Sequence, residues 1–175
     1  GRGERKRWVL KCPQHLEQLP VLLKTFPDAT IVFTHRDPVA VLQSTVTMQA
    51  YTQRMNRRHV ALRELLAYWS ERIEHLLRAC VRDRGLVPAS QSLDSPFHRF
   101  MAEPMGTMEQ VYATAGLELD QTARARLGRY LADHPRGKEG QVIYDLRRDF
   151  GADPAALHAR FGFYLERFPV TAEVP

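Results

Sequence analysis

The apolar positions change period several times along the chain, and each change marks an element. Trp8-Val9-Leu10-Lys11 is a short apolar run stopped by Cys12-Pro13, which reads as a buried strand feeding a loop. Leu16, Leu19, Val21, Leu22, Leu23 and Phe26 then predict a helix entered at the Pro13 turn and kinked near Pro20. Beyond the Pro27-Asp28 turn, Ala29 to Thr34 is continuous and β-branched, the pattern of a parallel-sheet strand covered on both faces. Asp37 is placed to cap the next helix, with Pro38 at its first position and Val39 to Met48 continuing it. Residues 8–48 therefore read strand–helix–strand–helix, which predicts an α/β fold with a parallel β-sheet flanked by α-helices and right-handed crossovers.

The clearest helix follows. Leu62, Leu65, Leu66, Trp69, Ile73, Leu76, Leu77, Cys80 and Val81 recur at three- and four-residue spacing and end in Arg82, Arg84 and Gly85. Ser92-Leu93-Asp94 with Phe97 to Phe100 reads as another short strand, although Pro96 would disturb a central one. Met105 to Ala115 is helical and closes at Gly116; Asp120 caps a helix through Leu131. After the polar, glycine-punctuated loop HPRGKEGQ, Asp153-Pro154 opens the last helix, with Leu157, Phe161, Tyr164, Leu165 and Phe168 on its apolar face.

Length and composition narrow the classes. The 175 residues fit a single domain, 1–175, and 44% apolar with 26% charged residues is the make-up of an ordinary globule. No apolar run reaches the ~18–20 residues that span a bilayer. Two cysteines, Cys12 and Cys80, make no disulfide framework, and reduced thiols predict a cytoplasmic setting. The histidines show no metal-ligand spacing, so no metal is expected. A net charge of +5 admits a polyanion or a phosphate-bearing ligand. Outside the opening RGERKR, however, basic residues alternate with acidic ones as in RELLAYWSERIE, the pattern of solvated helix faces.

Three segments could carry chemistry. Thr34-His35-Arg36-Asp37-Pro38 is a strand-to-helix turn, and ligands in open parallel sheets bind at the carboxyl ends of strands. A helix N-terminus there favours an anion, and the Arg36 guanidinium has the fork suited to phosphate oxygens. Ser44 follows two turns after Asp37 on the same helix flank, where its hydroxyl could converge with Arg36 on one anion. In the second segment, Arg136-Gly137-Lys138-Glu139-Gly140, the glycines permit close backbone approach and Arg136 and Lys138 supply cations, though the Walker spacing is absent. The third, Lys11-Cys12-Pro13-Gln14-His15, places a lysine and a candidate general base just past a predicted strand. Each has a plainer reading as well: a surface Arg–Asp pair with a solvent-facing Ser44, a surface turn, and a structural histidine.

In order, WVLKCPQHL, a helix, IVFTHRDPVAVLQS and the late RGKEG loop resemble the sulfotransferases that use 3′-phosphoadenosine 5′-phosphosulfate (PAPS), in a bacterial branch of that family. The resemblance implies their P-loop-NTPase-like α/β fold. It also implies that Arg36 and Ser44 grip the donor's 3′-phosphate, and that Arg136, Gly137 and Lys138 close over it with the family's motif order altered. Lys11 matches the family's strand-end lysine, which implies an electrostatic role near the 5′ end. Pro13 stands where the family has its catalytic histidine, which makes His15 the candidate base. The implied reaction is in-line sulfuryl transfer from PAPS to a hydroxyl or amine of a small-molecule, lipid or glycan acceptor, without a metal, membrane span or nucleic-acid partner. Nothing in the sequence matches the family's Ser/Thr- and Gly-rich 5′-phosphosulfate loop, so the chain is expected to be the C-terminal two-thirds of an N-terminally truncated domain, inactive alone. Two other classes compete: a basic nucleic-acid-binding module, with steep salt dependence, and a degenerate interaction domain that binds no nucleotide.

Overall fold

Two parallel strands, β1 (Ile31–His35) and β2 (Ser92–Pro96), are registered Ile31 to Ser92 through His35 to Pro96. The computed structural model describes residues 7–138, 140 and 142–175. The RGERKR opening, except Arg7, therefore lies outside the described residues, as does Glu139 of the late loop. The two strands form one sheet, and α2 (Pro38–Arg54) and α3 (Leu62–Asp83) make the connection between them. The expected α/β architecture, a parallel sheet flanked by helices, is what the chain adopts.

Helix α2 buries Val39, Leu42, Val46 and Ala50, one stripe at three- and four-residue spacing. Against it α3 sets Leu65 and Ile73, while Leu146 and Phe150 arrive from α7 (Leu146–Phe150) and Phe161 from the junction of α8 (Pro154–Arg160) with α9 (Gly162–Leu165). A second cluster gathers Leu19 of α1 (Leu19–Thr25) with Phe33, Cys80, Val87, Tyr164 and Phe168 beside the sheet. Leu77 and Phe163 touch both clusters and join them.

Five elements differ from the sequence reading. Trp8 to Lys11 forms no strand: no strand pairs with it among the described residues, and Trp8 and Val9 are 86% and 94% exposed. Without a neighbour to take its N–H and C=O groups, an apolar run gains nothing from extension. The first helix is split into a 3₁₀ turn, Pro13–Glu17, and α1, with the break at Gln18 just ahead of Pro20. On β1, Phe33 and His35 are buried but Thr34 is exposed, so the strand is not covered on both faces.

The fourth difference follows Ser92. The strand stops at Pro96, which supplies no ladder N–H, and Phe97–Ala102 becomes helix α4. Helices α5 (Pro104–Thr114) and α6 (Gln121–Asp133) come close to their expected bounds, with the Asp120 side chain accepting from Ala123 N as the cap of α6. The expected last helix is instead α8 and α9, divided at Phe161.

Both cysteines are free. Burial pushes the Cys80 thiol up to about 11, leaving it protonated and inert. Alkylation of the native protein with iodoacetamide at pH 8 should modify half-buried Cys12 and spare Cys80 until denaturant is added. Peptide mass mapping reads this directly; native labelling of Cys80 would show that the second cluster opens.

Candidate anion site at the β1–α2 turn

The sequence dictates a sharp turn at Arg36-Asp37-Pro38. Pro38 begins α2 at its first position, and the fully buried Asp37 carboxylate accepts a hydrogen bond from Val39 N at 2.9 Å. The same carboxylate accepts from the backbone N–H of Glu173 at 2.7 Å and of Val174 at 3.2 Å. His158 Nε2 of α8 lies 3.2 Å from both of its oxygens. One carboxylate thereby fastens α2, α8 and the C-terminal segment together, and a buried charge with this many donors is fully satisfied.

Beside this knot is a cavity of about 280 Å³, whose lining includes Arg36, Phe97, His98, Arg136, Thr171 and Glu173. Arg36 enters from the strand end and Arg136 from the loop after α6. Their guanidinium carbons lie 4.3 and 5.7 Å from the centroid of the same Phe97 ring. Glu173 accepts from Arg36 Nε and Nη2, each at 2.8 Å, in a forked pair. That hydrogen bond, outweighing partial burial, raises the Arg36 pKa further, so its charge is permanent.

In the wall of the cavity His35 is buried between Tyr164 and Asp94, with Nδ1 2.7 Å from the Tyr164 hydroxyl and Nε2 2.7 Å from Asp94 Oδ1. It stacks on Phe168 at 4.2 Å. Burial lowers the His35 pKa, opposed by Asp94 and assisted by Arg84 and Arg167. The neutral ring satisfies every group: Tyr164 O–H donates to Nδ1 and Nε2–H donates to Asp94. Burial alone would lift Asp94, but the hydrogen bonds from Arg84 and His35 outweigh it and hold the carboxyl below its ordinary range. Burial likewise pushes the Tyr164 hydroxyl up, which keeps it a donor.

The expected site residues thus separate into groups. Arg36 and Arg136 meet at one cavity. Ser44 sits further along α2 with its hydroxyl 3.5 Å from that of Tyr144, a residue that also lies within electrostatic reach of Arg36. Gly137 takes a left-handed backbone at φ 84°, while Lys138 Nζ donates to the Asp133 carbonyl at 2.9 Å and turns back toward the end of α6. Lys11 is exposed and His15 lies half-buried in the 3₁₀ turn; neither lines the cavity. That turn is held to α3 by the Glu17–Arg72 ion pair instead.

Phe97, Glu173, His158 and Asp94 were not singled out from sequence. Glu173 lies 137 residues from Arg36, and no local pattern announces such a pairing. Among the described residues no group of three or more His, Cys, Asp or Glu could hold a metal, and no helix is long and apolar enough to cross a membrane.

A parallel sheet flanked by helices, with Arg36 and Arg136 at one cavity beside the end of its first strand, is an α/β protein with a candidate anion site. Residues 2–121 match the model of the Sulfotransferase family, and the chain belongs to that family. Over 134 residues, 74% of this chain, it is 28% identical to the omega-hydroxy-beta-dihydromenaquinone-9 sulfotransferase Stf3 of Mycobacterium tuberculosis. The chain spans about a third of the length of the curated relatives it matches, 34% of Stf3. Among solved structures, the sulfotransferase STF9 of Mycobacterium avium matches 96% of this chain over 43% of its own, at 27% identity and a TM-score of 0.83. The sulfotransferase STF1 of Mycobacterium tuberculosis matches 90% of this chain over 40% of its own, at 26% identity and a TM-score of 0.69.

Proposed function

We propose that this chain supplies the part of a PAPS-dependent sulfotransferase that holds the donor's 3′-phosphate. The observation that carries the reading is the convergence of Arg36 and Arg136, a hundred residues apart in sequence, on one cavity at the end of a parallel strand. Two permanent cations over a shared aromatic ring suit a phosphate monoester, which carries ~1.5–2 negative charges at neutral pH and three acceptor oxygens. Ser44 and the Arg136-Gly137-Lys138 loop would complete the grip. Binding energy gathered there would position the distant sulfuryl end for transfer. Lys11 and His15 remain the candidates for that reacting end, as electrostatic partner and general base. The acceptor is read as a hydroxyl or amine on a small molecule, lipid or glycan, a class that includes the hydroxylated menaquinone in the name of Stf3.

The test is calorimetric binding of 3′-phosphoadenosine 5′-phosphate against ADP, which has comparable charge but no 3′-phosphate. The bisphosphate should bind more tightly, and Arg36→Ala should weaken it about 30-fold, ~2 kcal/mol for a lost charge-assisted pair. ADP binding should barely change. Equal affinities, or a preference indifferent to Arg36, would refute the reading. A steep salt dependence with no 3′-phosphate preference would favour the nucleic-acid module instead.

A further inference from the structure

The edge of Arg36 that is shaped for a phosphate already holds an anion of the protein's own. Glu173 takes both Nε–H and Nη2–H of Arg36 at 2.8 Å, the forked geometry that two oxygens of a phosphate would adopt. Phe97 covers a face of the same guanidinium, which leaves anions its in-plane edges, and Glu173 occupies one of these. We propose that Glu173 is a resident competitor for the anion site, its carboxylate standing where a phosphate monoester binds, so that binding is an exchange of one for the other at Arg36. The inference rests on the phosphate-site reading above and adds to it a residue that sets the strength of the site.

Three features make the exchange a side-chain event. The Glu173 backbone is fixed, because its N–H and that of Val174 both donate to buried Asp37. Val174 packs on the main hydrophobic cluster and holds the segment from below. The Glu173 side chain itself is 26% exposed and Arg36 35%, so the carboxylate can swing into water while its backbone stays bound. An arriving phosphate would otherwise meet a like charge on the same guanidinium, a repulsion that partial exposure softens without removing. The cost of displacing the carboxylate is the same for every arriving anion, and a doubly charged phosphate monoester, which gains more at Arg36 than the carboxylate does, can meet it.

The experiment measures binding of 3′-phosphoadenosine 5′-phosphate and of ADP to the full chain, as wild type, Glu173→Gln, Glu173→Ala and each combined with Arg36→Ala. Both Glu173 variants should bind the bisphosphate about tenfold more tightly, with ADP unchanged and the gain shrinking as salt rises. The combined variants should lose the gain. If bisphosphate binding depends on Arg36 but weakens or stays level when Glu173 is replaced, Glu173 orients Arg36 or is a bystander; the proposal then fails while the phosphate site stands. If no background shows an Arg36-dependent preference for the 3′-phosphate, the phosphate site fails and the competitor with it. Melting curves on every variant establish that each is folded, and a variant that loses stability without gaining affinity counts against the proposal.

Discussion

Replacing Asp37 with alanine is expected to cost about 3–4 kcal/mol of stability, one of the largest effects of any polar substitution in the molecule. The carboxylate is fully buried and accepts from three backbone N–H groups and faces His158 Nε2. Alanine removes the α2 cap, by itself worth ~1 kcal/mol. It also leaves the Val39 and His158 donors without their acceptor, while Glu173 and Val174, nearer the surface, can turn to water. For a chain of this size the loss would lower the melting temperature by about 10 °C. Asp37→Asn keeps the volume and one acceptor oxygen but points an N–H₂ group at other donors, and should lose roughly half as much. Urea unfolding of both variants measures the cost, and hydrogen exchange at the Glu173 and Val174 amides localises it. A loss under 1 kcal/mol for Asp37→Ala would mean that the C-terminal segment is not held by this carboxylate.

That knot shows how far the sequence could be read. The Asp37-Pro38 cap was legible because a cap is a local device: the carboxylate reaches its own N–H two residues on, and Pro38 needs no donor. The stripes of α2 and α3 were legible for the same reason, since period and face are fixed within one element. The other donors to Asp37 come from more than 120 residues away and left no periodic trace. Trp8 to Lys11 failed differently. Its apolar content satisfies every local rule for a buried strand, but a strand is defined by the neighbour that accepts its hydrogen bonds, and none lies beside it among the described residues. Short runs such as Phe97-His98-Arg99-Phe100 do not distinguish strand from helix; here Pro96 ends one and begins the other.

The candidate site divides along the same line. The place of Arg36 follows from the turn that carries it, because a strand end running into a helix start is a local feature of the sequence. Arg136 was one of several cations in a polar loop, and only the shared Phe97 ring and cavity distinguish it from Lys138, which turns away to the Asp133 carbonyl. Glu173 was invisible. A residue that pairs across the whole fold has no signature in sequence, yet it governs how much positive charge the site presents.

Arg84 carries the last prediction, which concerns the acid behaviour of the buried network around His35. Its guanidinium donates to Asp94 at 2.9 and 2.7 Å and to Ser92 Oγ at 3.0 Å, and lies 4.5 Å from the Phe33 ring centroid. In the wild type, burial holds His35 below its ordinary pKa, so its contribution to stability is complete above pH ~6.5 and is lost as pH falls toward the folded-state value. Arg84→Ala removes a charge that opposes protonation of His35 and leaves Asp94 with His35 as its counter-charge. Only Arg167 would then oppose the proton electrostatically. The His35 pKa should rise toward its unfolded value, with burial and Arg167 still opposing the proton, so less stability is lost as pH falls below ~6.5. The slope of stability against pH between 5 and 7.5 should therefore flatten. At pH 7.5 the variant should be about 2–3 kcal/mol less stable, below the usual cost of breaking a buried pair because the Asp94 side chain is 36% exposed. Urea midpoints at three pH values for wild type, Arg84→Ala and Arg84→Ala with His35→Gln read both effects, the double variant removing the His35 part of the slope. A slope as steep in Arg84→Ala as in the wild type would show that Arg84 does not oppose protonation of His35.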